Sequence, residues 1–202
     1  MKSLSDPQQE PLFFDVPDAE IIYYPGFFER GKADELFARL RSETLWQQDS
    51  IRIFGKTCLQ PRLTALYGNE GKAYAYSGIN MQPHPWTPLM TYLKEQVEAV
   101  CHHHFTTVLV NQYRDGRDSM GWHSDNENAL GCNPVIASLS FGAERRFDLK
   151  HNTDVSQKHS ITLGHGSLLI MRGTTQHFWK HQLPKTTKIM SPRINLTFRT
   201  IK

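Results

Sequence analysis

A chain of 202 residues, 39% hydrophobic and 21% charged, is long enough to bury the core of one domain and is not the composition of a disordered polymer. A net charge of +3 permits nucleic acid as a partner without demanding it. Cys58, Cys101 and Cys132 form no paired spacing, which argues against a disulfide scaffold and for a reducing compartment. No apolar run reaches the length of a membrane span and no charged-then-apolar leader opens the chain. The expectation is a monomer, cytoplasmic or in the nucleoid or nucleus, neither secreted nor bound to a membrane.

In chain order, residues 1–20 are polar and carry Pro7, Pro11 and Pro17, so this stretch is expected to be flexible. Ile21-Ile-Tyr-Tyr reads as a short strand ended by Pro25-Gly26. From Glu29 to Thr44, Ala33, Leu36, Phe37 and Leu40 recur at helical spacing and predict an amphipathic helix that braces a sheet. Arg52-Ile-Phe-Gly-Lys56 has two readings. It is a hairpin with Phe54 in the core, or an exposed apolar wedge at Phe54-Gly55 between cations, of the kind that enters base steps while Lys and Arg hold phosphates. Tyr74 and Tyr76 alternate with Ala75 and share a face, either for cross-strand packing or as a stacking wall for a base. Trp86 lies in a rigid proline-rich turn before a helix from Leu89 to His102. The histidines 102–104 suit the negative end of that helix rather than a metal.

Phe105 to Tyr113 is rich in β-branched and aromatic residues and predicts a strand with Leu109, Asn111 and Tyr113 on one face. After the turn Arg114-Asp-Gly-Arg-Asp comes His123-Ser-Asp125. On extended backbone, residues two apart point to one side, so both can reach one ion. Short β segments follow at 134–141, 145–150, 159–163 and 166–171, which together predict an antiparallel double-sheet jelly roll with a pocket at one end. A third ligand would come from His165, His177 or His181, and spacing alone does not choose between the last two. Two imidazoles and a carboxylate around an ion with open positions form the facial triad of non-heme Fe(II) oxygenases. Near the end, Arg193, Asn195, Thr197 and Arg199 share one face of a strand. Two arginines on a buried face call for anions, which a diacid would supply, although six residues span about 20 Å of straight strand; the other reading leaves them solvent-exposed on an edge strand or paired with internal acids. Lys185-Thr-Thr-Lys188 is a small basic loop, either a phosphate contact or a solvated turn.

Asn111-x-Tyr113, His123-x-Asp125, His181 before Pro184 and Arg193-x-Asn-x-Thr-x-Arg199 resemble the signature of the AlkB-like Fe(II)/2-oxoglutarate dioxygenases, over residues 51–201 and nearest the branch that repairs alkylated duplex DNA. The resemblance implies an α+β, mostly β fold: a double-stranded β-helix (jelly-roll) core at about 105–202, preceded by a helical region and a nucleotide-recognition lid at about 50–80. It implies Fe(II) on His123, Asp125 and His181, with His177 as the fallback. It places the distal carboxylate of 2-oxoglutarate on Asn111, Tyr113 and Arg193, and the end near the metal at Arg199, with Asn195 and Thr197 beside it. Phe54 and Gly55 become the wedge, Tyr74 and Tyr76 the lid tyrosines, with Tyr76 and His123 sandwiching the base. Glu127 faces a cationic base such as 1-methyladenine or 3-methylcytosine. The implied reaction is direct-reversal demethylation in DNA, consuming O2 and 2-oxoglutarate and releasing succinate, CO2 and formaldehyde. RNA or protein as substrate, or a non-catalytic metal- or nucleic-acid-binding jelly roll, are the alternatives. Asn126 stands where the duplex-repair branch has another acid, which bears on the order of substrate preference.

Overall fold

A computed structural model describes residues 10–53, 56–76 and 79–202, with the backbone alone at 51–53, 56, 74–76 and 79–80. Its strands are β1 (Leu12–Phe14), β2 (Glu20–Tyr24), β3 (Ser50–Ile53), β4 (Lys56–Leu59), β5 (Leu63–Gly68), β6 (Tyr74–Tyr76) and β7 (Ile79–Met81), then β8 (Thr107–Tyr113), β9 (Met120–His123), β10 (Ile136–Gly142), β11 (Arg145–His151), β12 (Lys158–Leu163), β13 (Ser167–Arg172), β14 (Trp179–Leu183) and β15 (Arg193–Arg199). Helix α1 (Arg30–Glu43) follows β2, helix α2 (Pro88–Cys101) comes just before β8, and a single turn, α3 (Thr175–Phe178), leads into β14.

Among the described residues a seven-stranded sheet runs β1-β2-β13-β10-β15-β8-β5, and a four-stranded sheet runs β12-β11-β14-β9. Every pairing within them is antiparallel. This is the jelly-roll core expected from the sequence. Strand alternation divides its apolar residues into two layers. Val108, Val110, Ala137, Leu139, Phe141, Ile194, Leu196 and Phe198 pack against Leu36 and Leu40 of α1 and Leu93 and Val97 of α2. Leu109, Ile136, Leu169 and Met171 face the minor sheet, meeting Phe147, Leu149, Ile161, Leu163 and Trp179. The first layer is continuous. The second opens toward one end, because β8, β10 and β15 carry polar residues there.

The helices follow their local signals. Ala33, Leu36 and Leu40 put one stripe of α1 into the core. Thr87 caps α2 by accepting from the Met90 N–H at 3.2 Å, with Pro88 in the first turn, where its missing N–H costs nothing. His102 closes that helix in the left-handed region, with φ 49°.

Two expectations about boundaries are corrected. Part of the segment read as flexible is ordered: Leu12–Phe14 pairs with β2, which itself starts at Glu20 and docks on β13. The core is also not confined to 105–202, because β1, β2 and β5 extend its major sheet at both edges. Sequence separation hides this, since sheet neighbours such as β2 and β13 lie more than a hundred residues apart. In the region read as a lid, β3 pairs with β4, Ile53 opposite Lys56, and β6 pairs with β7. No described helix is long and apolar enough to cross a membrane.

Candidate metal and diacid site

The polar end of the core encloses a cavity of about 230 Å³ between the two sheets. Register explains its chemistry. On β15, Arg193, Asn195 and Thr197 lie directly opposite Tyr113, Asn111 and Leu109 of β8. On the other side Asn195 and Thr197 face Ser140 and Ser138 of β10. Three adjacent strands therefore present polar side chains to one space while their alternate residues fill the helix-facing layer.

The opposite wall brings His123 and His181 together. They are a direct cross-strand pair between β9 and β14, with ring centroids 4.2 Å apart. Asp125 follows two residues after His123, beyond the end of β9. Ligand atoms of His123, Asp125 and His181 all lie within 4.8 Å of one another, so one ion can reach all three. The surroundings suit this. His123 Nδ1 donates to the Gly121 carbonyl at 2.8 Å, which leaves Nε2 as the ring nitrogen available to an ion. His181 is buried against Phe147, centroids 5.2 Å apart, and burial together with His123 pushes its pKa down to about 3, so it is neutral. Burial alone would raise the Asp125 carboxyl, but Arg199, His181 and His123 outweigh it and hold the group at about 2. Arg199 Nη2 donates to both Asp125 oxygens at 2.9 and 3.0 Å. A neutral His181, an ionised Asp125 and the His123 imidazole form a donor set that fits a divalent metal.

Arg193 lies at a separate part of the same cavity. Arg193 is buried, and its Nη2 donates to Ser140 Oγ at 2.8 Å while its Nε has no hydrogen-bond partner. Among the described residues no carboxylate pairs with it. Burial lowers its pKa to about 10. The Tyr113 ring lies between Arg193 and Arg145, 5.5 and 6.0 Å from their guanidinium carbons. A buried guanidinium without an acid, aimed at a cavity, is the feature that a ligand carboxylate fits. The tension over the length of β15 disappears, because its two arginines have different work: Arg199 neutralises Asp125 and Arg193 faces the far end.

Glu127 also lines the cavity. Asn195 Nδ2 donates to Ser138 Oγ at 2.7 Å, and Thr197 Oγ1 donates to Asn195 Oδ1 at 3.0 Å. Those two therefore brace the wall as well as line it. Of the remaining histidines, His177 lies in α3 with its Nε2 on Asn133 Oδ1 at 2.9 Å. His165 accepts from the Gly142 N–H through Nδ1, among residues of a different cleft. Phe54 and Gly55 lie outside the described residues, as do the side chains of Tyr74 and Tyr76, although β6 and β7 place the two tyrosines opposite Met81 and Ile79.

Sequence reasoning missed four contributors. Arg62 is buried in the cavity wall and donates from Nε to Asn111 Oδ1 at 2.8 Å. Gln176 accepts the Asp125 backbone N–H at 2.8 Å. Ser138 and Ser140 support Asn195 and Arg193. Only the serines left a trace, as polar residues alternating with Ala137, Leu139 and Phe141. Arg62 and Gln176 act across 49 and 51 residues of sequence.

The model of the 2OG-Fe(II) oxygenase superfamily matches residues 20–199. The chain belongs to that superfamily. Within it the chain is AlkB-like. It is 43% identical over 192 residues to the mouse alpha-ketoglutarate-dependent dioxygenase alkB homolog 3, covering 91% of this chain and 66% of that protein. To the bovine DNA oxidative demethylase ALKBH2 it is 39% identical over 189 residues, covering 88% and 68%. The chain thus spans just under two thirds of the length of the alkB homolog 3 relatives. The solved structure of OsALKBH1 superposes with a TM-score of 0.66 at 16% identity, covering 95% of this chain and 100% of that one, which supports the fold. The AlkB-like assignment agrees with the donor set and with the acid-free arginine: the superfamily takes Fe(II) and 2-oxoglutarate, and this cavity has a place for each.

Proposed function

We propose that this AlkB-like protein is an Fe(II)/2-oxoglutarate-dependent dioxygenase that oxidatively demethylates alkylated bases in DNA. The observation that carries the reading is the pairing, in one cavity, of a clustered His-Asp-His donor set with a buried arginine that has no acid. The relative named DNA oxidative demethylase ALKBH2 supports nucleic acid as the substrate.

His123, Asp125 and His181 would hold the iron, which when bound activates O2 at the expense of 2-oxoglutarate so that an N-methyl group is hydroxylated and leaves as formaldehyde. The chain's own residues do the rest. Arg193, with Tyr113 and Asn111, receives the distal carboxylate and sets which way the co-substrate points. Arg199 keeps Asp125 ionised, and the His123–Gly121 contact fixes the ring so that Nε2 is the nitrogen presented to the metal. Phe147, Leu163, Met171 and Leu183 keep much of the wall apolar, which limits water around the reacting centre. Glu127 offers a negative charge to the cationic ring of 1-methyladenine or 3-methylcytosine. Phe54-Gly55 act as a wedge in duplex DNA, and Tyr74 and Tyr76 belong to the surface that receives the flipped base, Tyr76 stacking on it opposite His123. RNA is the alternative substrate.

The test uses purified protein with Fe(II), ascorbate and 2-oxoglutarate on duplex and single-stranded oligonucleotides carrying one 1-methyladenine, followed by mass spectrometry beside Asp125→Ala. Methyl loss that needs both Asp125 and 2-oxoglutarate is expected. Succinate formation without methyl loss would keep the oxygenase and move the substrate elsewhere; binding of metal with neither product would sink the enzyme reading. Phe54→Ala should cut activity on duplex much more than on single strands, and equal losses would remove the wedge.

A further inference from the structure

The outer face of the minor sheet carries three lysines abreast. Lys150 of β11 lies directly opposite Lys158 of β12 and directly opposite Lys180 of β14. Cross-strand partners leave the sheet on one face, and the residues alternating with them, Leu149 and His181, are buried on the other. Like charges directly opposite destabilise a sheet, so a row of three is a cost to the fold itself. Among the described residues no carboxylate is within ion-pair distance of any of them. The nearby acid on the same face, Asp148, is occupied by Arg146 at 3.0 Å, Ser160 at 2.7 Å and Gln182 at 3.1 Å. Trp122, on the edge strand β9 and 39% exposed, reaches across so that Lys150 Nζ lies 4.3 Å from its ring centroid.

We infer that Lys158, Lys150 and Lys180, with Trp122 at their edge, form a track for the sugar-phosphate backbone of the nucleic-acid strand whose base enters the cavity. The inference rests on the nucleic-acid reading above. Neighbouring strands are about 4.8 Å apart, so the row spans roughly 10 Å. That covers about three phosphate intervals at about 3.4 Å of axis per phosphate along one strand, enough for each lysine to meet a phosphate of its own. The placement fits as well. Lys180 precedes His181 and Trp122 precedes His123, so the row lies on the reverse of the strands that carry the two histidines, one sheet thickness from the cavity. Because β9 is an edge strand, a polymer passing over that edge meets Trp122 first and the lysines next. A polyanion supplies the counter-charge that the protein does not.

The test compares wild type with the triple variant Lys150→Ala/Lys158→Ala/Lys180→Ala, and with the triple Lys→Arg variant at the same positions. The readouts are affinity for a long methylated single-stranded oligonucleotide across a salt series, and turnover of a methylated trinucleotide too short to reach the row. In the alanine variant the slope of log affinity against log salt is expected to fall in magnitude by about 2, from about 0.7 per phosphate contact, while trinucleotide turnover stays at the wild-type level. The arginine variant is expected to keep the slope. Wild-type binding with an unchanged slope in the alanine variant would overturn the track alone. So would loss of the slope in the arginine variant, which would mean the positions matter for folding rather than charge. Wild type that turns over 2-oxoglutarate but shows no salt-dependent binding to any oligonucleotide would overturn the nucleic-acid reading and the track with it.

Discussion

One Arg199 Nη2 donates to both carboxylate oxygens of Asp125, and both side chains are buried. A fixed cation thus lies beside the carboxylate of the donor set, and Asp125 is charged whether or not a metal is present. Its pKa of about 2 records the outcome, with three positive or polarisable neighbours overcoming the cost of burial.

Arg199→Met leaves Asp125 as a buried charge without its guanidinium. Breaking such a pair from one side costs about 3–5 kcal/mol. Denaturant unfolding of the metal-free protein should show a loss of that order, with weaker divalent-metal binding beside it. An unchanged midpoint would mean that water replaces Arg199 at no cost.

Arg193→Met is expected to behave in the opposite way. It deletes a buried guanidinium that has no acid, so the ligand-free protein should be as stable as wild type or more so. The dissociation constant for 2-oxoglutarate should rise about ten- to a hundredfold, from the loss of charge-assisted hydrogen bonds worth about 1.5–3 kcal/mol. Thermal shift across a 2-oxoglutarate titration checks both halves. Destabilisation of the ligand-free protein with unchanged affinity would assign Arg193 to the scaffold alone.

His181 provides a pH test in the metal-free protein. Its folded pKa, about 3, lies below the ordinary 6.5, so between those values the unfolded chain holds the extra proton. Stability from this group is therefore complete above pH 6.5 and is lost progressively as pH falls toward 3. His181→Leu should flatten that part of the stability curve, measured by urea unfolding at a series of pH values. A curve in the mutant as steep as in wild type would assign the acid sensitivity to other groups.

Gln176→Ala removes the acceptor for the Asp125 N–H without touching a donor atom. Supporting contacts of this kind are worth about 10–100-fold in metal affinity, and about tenfold is expected here by chelator competition. Gln176→Glu keeps the acceptor oxygen and should recover most of it. If both variants bind metal like wild type, α3 does not position Asp125.

Much of the site was legible because its residues sit on regular β structure close together in sequence. A strand points every second side chain the same way, so Arg193, Asn195, Thr197 and Arg199 had to share a face wherever their strand lay. His123 and Asp125 could be paired for the same reason. Helix α1 was legible from its apolar spacing, and α2 was placed after the proline-rich turn at Trp86.

What the tertiary structure decided is whatever depends on register between distant segments. Spacing alone did not separate His181 from His177, and it is the pairing of β14 with β9 that sets the His181 ring against His123. Pairing likewise separates the duties of Arg199 and Arg193, brings Arg62 to Asn111 and Gln176 to Asp125, and lines up three lysines from three strands. Periodicity along a chain determines which face a side chain takes. Which strand it faces is settled only when the sheets close, because the packing and hydrogen bonds that choose one register belong to no single segment.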